Sequence, residues 1–337
     1  MGFRGMVFGM RVVGVLVVGC WAAVVGAQGA KPSTYVRVGS AADVAVKTEA
    51  GFALMGGGTD LDEAFQWMCA RSGGGDFLIL RSHGGDDYNP YVQKLCHVNS
   101  VATLVIPSRA AATAPQGAET SGKAEAIFIA GGDQAEYINW WKGTAVEDAL
   151  NAAIRRGVPE GGTSAGLAVQ GEFIYSAQND GKDEANLSSK TALADPFQHQ
   201  VVVVRGFLDN PLLAGTITDS HFVRRDRMGR LLVMMARVLE EGPVKELKGM
   251  GIDQETAVLL EADGEAKVVG KGAAYFLRAS GKPALVKKGE ALEFGPVSAV
   301  KVKAGGRFDV KGWRGDEAYA YSVVDGVVRS SRGGGIY

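Results

Sequence analysis

From residue 51 onward the chain alternates short apolar runs with segments of helical periodicity. The runs at 52–55, 77–80, 102–106 and 126–130 are four or five residues long and close on glycine or polar turns, the pattern of strands buried on both faces. Between them Leu61, Ala64, Phe65 and Met68 recur at helical spacing over 60–70, with Thr59 or Asp60 placed to cap. Segments 88–97 and 145–156 read as further helices. This alternation predicts an α/β fold, a largely parallel sheet sandwiched by helices. The character changes after about residue 249. Beyond 257, β-prone runs at 257–260, 266–269, 275–278 and 298–302 are separated by turns such as Asp263-Gly264 and Ser280-Gly281. They predict a β-rich C-terminal extension, either antiparallel strands added to the sheet or a small appendage. Polar, irregular stretches at 110–123 and 178–195 read as linkers.

The amino terminus has a different pattern. Arg4 and Arg11 precede an apolar run from Val12 to about Val25, followed by Gly26, Ala27 and Gln28. A basic region, a short apolar stretch and a small-residue exit predict a Sec signal peptide over 1–27, and the run is short for a membrane span. Cys20, after Val17-Val18-Gly19, loosely fits lipoprotein processing. That is the lesser alternative, because it would leave apolar residues 21–25 on the mature end. Either way the folded part is expected outside the cytoplasm, periplasmic or extracellular. Division by pattern gives a signal at 1–27, a polar leader at 28–50, an α/β domain at 51–256 and the extension at 257–337.

Composition narrows the function classes. With 36 basic and 37 acidic residues among 337, the formal net charge of −1 gives no field for nucleic acid or an anionic membrane. Outside the signal, Cys69 and Cys96 form either a disulfide or two separate buried thiols. His83, His97, His199 and His221 are scattered without metal-ligand spacing, so neither a metal nor another cofactor is expected.

Gly162-Thr163-Ser164-Ala165-Gly166 is the most pointed short signal. G-x-S-x-G sets a serine on a sharp strand-to-helix turn, with small flanking residues because side chains there would collide. Ser164 is then a nucleophile and the Ala165 N–H an oxyanion donor. The bland reading is an ordinary glycine-rich turn. Asp219-Ser220-His221-Phe222 ends an apolar run and offers His221 as general base, whereas an isolated histidine is more often structural. His83, following a strand, is a minor candidate. Gly131-Gly132-Asp133-Gln134 closes another strand, and Arg224, Arg225, Arg227 and Arg230 cluster after His221. Taken alone these are a simple turn and a solvated charge run.

In combination and in order, the segments around Gly131–Gln134, Ser164 and His221, with arginines at 225, 227 and 230, resemble the cyanophycinase and aspartyl dipeptidase family of serine peptidases. The resemblance runs from about residue 52 to 253. It implies a fold similar to class I glutamine amidotransferases and hydrolysis of peptide or isopeptide bonds at aspartate. Cyanophycin, a poly-aspartate with arginines on its β-carboxyls, is the leading substrate and β-Asp-Arg dipeptide the product. By the same resemblance Gly132 supplies the second oxyanion donor, Asp133, Gln134 and one or more of Arg225, Arg227 and Arg230 bind substrate, and a homodimer is expected. The chain departs from the pattern at Ser220 and Val223, where glutamine and serine are usual. It departs again in Gly251-Ile252-Asp253-Gln254-Glu255, where glutamine stands at the expected acid. Glu255 is the favoured third catalytic member, with Asp253, Gln254 and an acid of the 180–184 loop as alternatives. Loss of activity in favour of binding, and an esterase using the same elbow, remain the competing readings.

Overall fold

The alternation beyond residue 51 becomes a nine-stranded mixed sheet in a computed structural model describing residues 1–2, 31–181, 186–242 and 244–337. Residues 3–30 lie outside that description, and with them the expected signal and Cys20; the 180–184 loop is described only as far as Gly181. Strands β1 (Thr34–Gly39), β2 (Gly51–Met55), β3 (Asp76–Arg81), β4 (Ser100–Val105), β5 (Ala126–Ile129) and β6 (Glu160–Thr163) lie in the spatial order β1-β4-β3-β5-β6-β2. The five from β4 to β2 are parallel, and β1 adds antiparallel at the edge. Helices Asp62–Arg71, Tyr88–Leu95 and Ala145–Arg156 lie on the crossovers. Successive side chains of a strand point to opposite faces: Phe52 and Leu54 enter one apolar cluster, Ala53 and Met55 the other. Both faces are therefore buried, as the continuous apolar runs imply.

The chain then builds β7 (Phe173–Tyr175), β8 (Val203–Arg205), β9 (Thr216–Asp219), β10 (Glu246–Ile252), β11 (Thr256–Glu261), β12 (Glu265–Gly270), β13 (Ala273–Ser280), β14 (Phe294–Lys303), β15 (Arg307–Asp309), β16 (Tyr319–Val324) and β17 (Val327–Ser330). Strands β11, β12 and β15 continue the first sheet antiparallel beyond β2. The others form a second sheet of eight, ordered β17-β16-β14-β13-β10-β9-β7-β8. The β-rich tail thus has no sheet of its own. It is divided between the two sheets, and residues 31–337 form one compact unit.

Local structure differs from the sequence pattern in three places. Within the polar leader, Thr34–Gly39 pair with β4 as an edge strand. The linker at 110–123 is two helices, Arg109–Thr113 and Pro115–Lys123. The second buries small or polar residues, Gly117 and Ser121, and a Cβ at Gly117 would lie 2.7 Å from Val146; close helix packing of this kind leaves no apolar stripe to read. Within 178–195, Ser189–Ala194 is helical. Cys69 and Cys96 are disulfide-bonded with Cα atoms 6.0 Å apart, joining the ends of helices Asp62–Arg71 and Tyr88–Leu95.

Candidate active site

Four strand ends converge where the two sheets meet. In the first sheet Met55 of β2 is level with Thr163 of β6. In the second, Asp219 of β9 is level with Gly251 of β10. Backbone hydrogen bonds join the sheets: the His221 N–H donates to the Gly56 carbonyl at 2.7 Å, and the Glu255 N–H to that of Gly57 at 2.8 Å. The residues just past β6, β9 and β10 are Ser164, His221 and Gln254.

Ser164 has φ 54° and ψ −110°, a conformation costly for any residue with a Cβ. The flanking glycines make this turn sterically feasible. A Cβ at Gly166 would lie 2.0 Å from the Ile129 carbonyl oxygen, and one at Gly162 would lie 2.5 Å from that of Gly166. The turn is fixed from below, where the Ser164 N–H donates to the Met55 carbonyl at 3.2 Å. Thr218 Oγ1 also donates to the Leu167 carbonyl at 2.8 Å. The serine is half-buried, and its Oγ lies 2.7 Å from His221 Nε2.

His221 is buried and also takes a left-handed backbone, φ 48°. Its imidazole lies against Gly57, where a Cβ would come within 2.6 Å of Nε2. Burial, reinforced by Arg225 and Arg227, holds its pKa down to about 4. The ring is therefore neutral at neutral pH and free to accept a proton.

At the other ring nitrogen the structure differs from the favoured expectation. Gln254 Nε2 lies 2.6 Å from His221 Nδ1. Glu255 pairs instead with Lys271, and Asp253 accepts backbone N–H groups from Val223 at 3.1 Å and Ala273 at 3.0 Å. The turn at 253–255 between β10 and β11, with Glu255 in a left-handed backbone, presents the glutamine to the ring while both neighbouring acids bond elsewhere. The arginines also divide. Arg230 is fully buried, its Nε donating to Asp219 Oδ2 at 2.8 Å and its Nη2 to Oδ1 at 2.5 Å. Arg227, also buried, reaches Asp219 Oδ1 at 3.3 Å and the Ser220 carbonyl at 2.9 Å. Burial alone would raise the Asp219 pKa, but Arg230 and Arg227 outweigh it and hold it below the ordinary value. Both arginines therefore hold the base turn from beneath, and neither lies open to a ligand. Arg225 is exposed.

Asp133 Oδ1 accepts the Ala135 N–H at 2.8 Å, capping the short helix Gln134–Glu136, and Gln134 is half-buried beside it. Gly132 is exposed, and a Cβ on neighbouring Gly131 would lie 3.5 Å from that of Ser164, so the β5 turn flanks the serine. Ala165 is the first residue of the helix that follows. His83 is bonded to Glu136 at 2.7 Å and stands edge-on to Trp140. Asp219 and Gln254 lie in segments already singled out, but neither the inward ion pairs of the first nor the imidazole contact of the second is readable from them, and Gly57 lies in no motif. The run Gly56-Gly57-Gly58 after a strand was the available signal for Gly57.

These features define an α/β protein with a nucleophile elbow and an adjacent histidine. Residues 85–204 match the model of Peptidase family S51, a span that includes Ser164 and stops before His221. The cyanophycinase of Geminocystis herdmanii is 32% identical over 151 residues, 44% of this chain and 48% of that protein. The cyanophycinase of Synechococcus elongatus is 29% identical over 213 residues, 61% of this chain and 60% of that one. The chain thus spans about half the length of the curated relatives it matches. A crystal structure of a peptidase from an acI-B1 Actinobacterium superposes with a TM-score of 0.50 at 16% identity, covering 78% of this chain and 98% of that one, a likeness of fold. Over residues 85–204 the chain is thus similar to peptidase family S51.

Proposed function

We propose that this chain is an exported serine peptidase of cyanophycinase type, cleaving peptide or isopeptide bonds at aspartate. The observation that carries this reading is the 2.7 Å contact between Ser164 Oγ and His221 Nε2 on a strained elbow. Ser164 attacks the scissile carbonyl while His221 takes its proton, then returns it to the leaving amine. The Gly132 and Ala165 N–H groups hold the oxyanion, and water activated by His221 releases the acyl group. Arg225, exposed four residues after the base, is the arginine suited to capture a substrate carboxylate. Cyanophycin is the leading substrate, supported by the name the curated relatives carry. Export is supported by the signal-like amino terminus and by the Cys69–Cys96 disulfide, a bond typical of oxidising compartments.

The test is release of β-Asp-Arg from cyanophycin by the chain from residue 28, beside its Ser164→Ala variant. Release by the first and none by the second supports class, substrate and nucleophile together. No release by either removes cyanophycin. A second reading, a binding protein on the same scaffold, is favoured by the uncharged Gln254 at the imidazole; it requires that Ser164 also fail to react with a fluorophosphonate.

A further inference from the structure

The turn carrying the general base is held from far along the chain. Tyr337 Oη donates to Asp226 Oδ1 at 2.8 Å and accepts the Met228 N–H at 2.9 Å. Met228 opens helix Met228–Glu241, whose N-cap residue Arg227 provides no side-chain cap, so the tyrosine hydroxyl satisfies an otherwise orphaned first-turn donor. The ring stands edge-on to Phe222, the residue after His221, at 6.0 Å, and to Tyr275 at 5.9 Å. The segment bearing Tyr337 is itself anchored, because Tyr321 Oη of β16 donates to the Ile336 carbonyl at 2.6 Å. One side chain therefore contacts the turn at 222, 226 and 228.

That turn needs holding. His221 and Asp226 both take left-handed backbones, at φ 48° and 46°, conformations that L residues leave unless their surroundings fix them. Beneath the turn, Asp219 grips Arg227 and Arg230. Ser189 Oγ bonds the Asp226 carbonyl from a third side. Between the imidazole and the helix, where Asp253 also accepts the Val223 N–H at 3.1 Å, Tyr337 holds Asp226 and Met228.

We propose that Tyr337 is a positioning residue for the general base: its hydroxyl and ring together hold residues 221–228 so that His221 meets Ser164 with Arg225 beside it. The proposal rests on the Ser164–His221 reading for its catalytic meaning, but the geometry can be tested without turnover. The charged groups bearing on the imidazole are Arg225, Arg227, Arg230 and Asp219; from the β10 side it meets the neutral Gln254. Releasing the turn exposes the ring, and the loss of burial raises its pKa.

The experiment is an NMR titration of the His221 imidazole in the full chain, assigned by loss of its signal in His221→Gln. Wild type, Tyr337→Phe and Tyr337→Ala are compared, each checked for folding by circular dichroism. The wild-type midpoint is expected near 4, with Tyr337→Ala moved toward the ordinary 6.5 and Tyr337→Phe, which keeps the ring, in between. Fluorophosphonate labelling of Ser164 at neutral pH is expected to slow ~10-fold or more in Tyr337→Ala, the scale of a small misplacement of the base. Equal midpoints in wild type and Tyr337→Phe, with Tyr337→Ala either equal or unfolded, would overturn the proposal. Absence of labelling in the wild type would instead count against the nucleophile reading, while the titration still decides the role of Tyr337.

Discussion

Opposite Nδ1 of His221 stands an amide where a triad has a carboxylate, and the consequence is one of tautomers. For Nε2 to accept the serine proton, Nδ1 must keep its own hydrogen and donate it to an oxygen. Gln254 offers that oxygen with one orientation of its amide and a competing N–H with the other. Glutamine therefore permits the productive tautomer without enforcing it, and it gives no charge to the imidazolium that forms. Gln254→Glu is expected to raise kcat/KM, by up to ~10⁴-fold if it restores what a triad loses when its carboxylate becomes an amide. It should also move the pH profile. In wild type His221 is held to about 4 by burial and by Arg225 and Arg227, so kcat/KM falls only as pH drops through that value. A carboxylate at 254 favours the protonated ring and shifts the acid limb upward. A variant with unchanged rate and unchanged limb would show that position 254 does not orient the base. The same position explains a limit of sequence reading. Ser164 and His221, which the structure places in contact, were legible as candidates because each lies in a short motif. A triad's third member is expected to be an acid, which favours Glu255 in the sequence, yet Glu255 faces Lys271.

Among the elements, the loops at the strand ends govern the site, and glycines shape them. At Gly57, φ is +89° and an added Cβ would lie 2.5 Å from His221 Cε1, so any side chain there displaces the imidazole. Gly57→Ala is expected to keep the fold, since residue 57 follows β2 and lies outside it. Activity should fall by ~10²-fold, as a displaced catalytic group does. Native circular dichroism with full activity would show that the ring tolerates the intrusion. Strands β2, β3, β4 and β5 were legible as continuous apolar runs because they are buried on both faces, whereas the edge strand β1 is largely exposed. Helix Pro115–Lys123 was not, because its contact with the neighbouring helix is made by small residues. Nor did periodicity reveal that Arg227 and Arg230 point inward. A local charge run looks solvated until its partner, Asp219 on a strand ending eight residues before Arg227, is in place.

For the molecule as a whole, two buried carboxyls act on stability in opposite directions with pH. Asp219, paired with Arg230 and Arg227, titrates below its ordinary 3.8. Its contribution is present above that value and is lost as pH falls through the lower, folded one. Glu160 behaves in the reverse sense. It lies in β6 between Ile127 and Phe52, fully buried, and neither carboxyl oxygen has a hydrogen-bond partner. Burial raises its pKa well above the ordinary 4.5. Between 4.5 and the folded value the unfolded chain has released this proton and the folded chain has not, so rising pH favours unfolding across that window. Below 4.5 the effect vanishes, and above the folded value it is constant. Glu160→Gln keeps the shape and removes the titration. Its melting temperature relative to wild type is therefore expected to rise from pH 4.5 to pH 8, measured by scanning calorimetry. A difference that stays constant over that range would mean that Glu160 ionises in place, and that the strand leading to Ser164 admits water or a counter-charge at its centre.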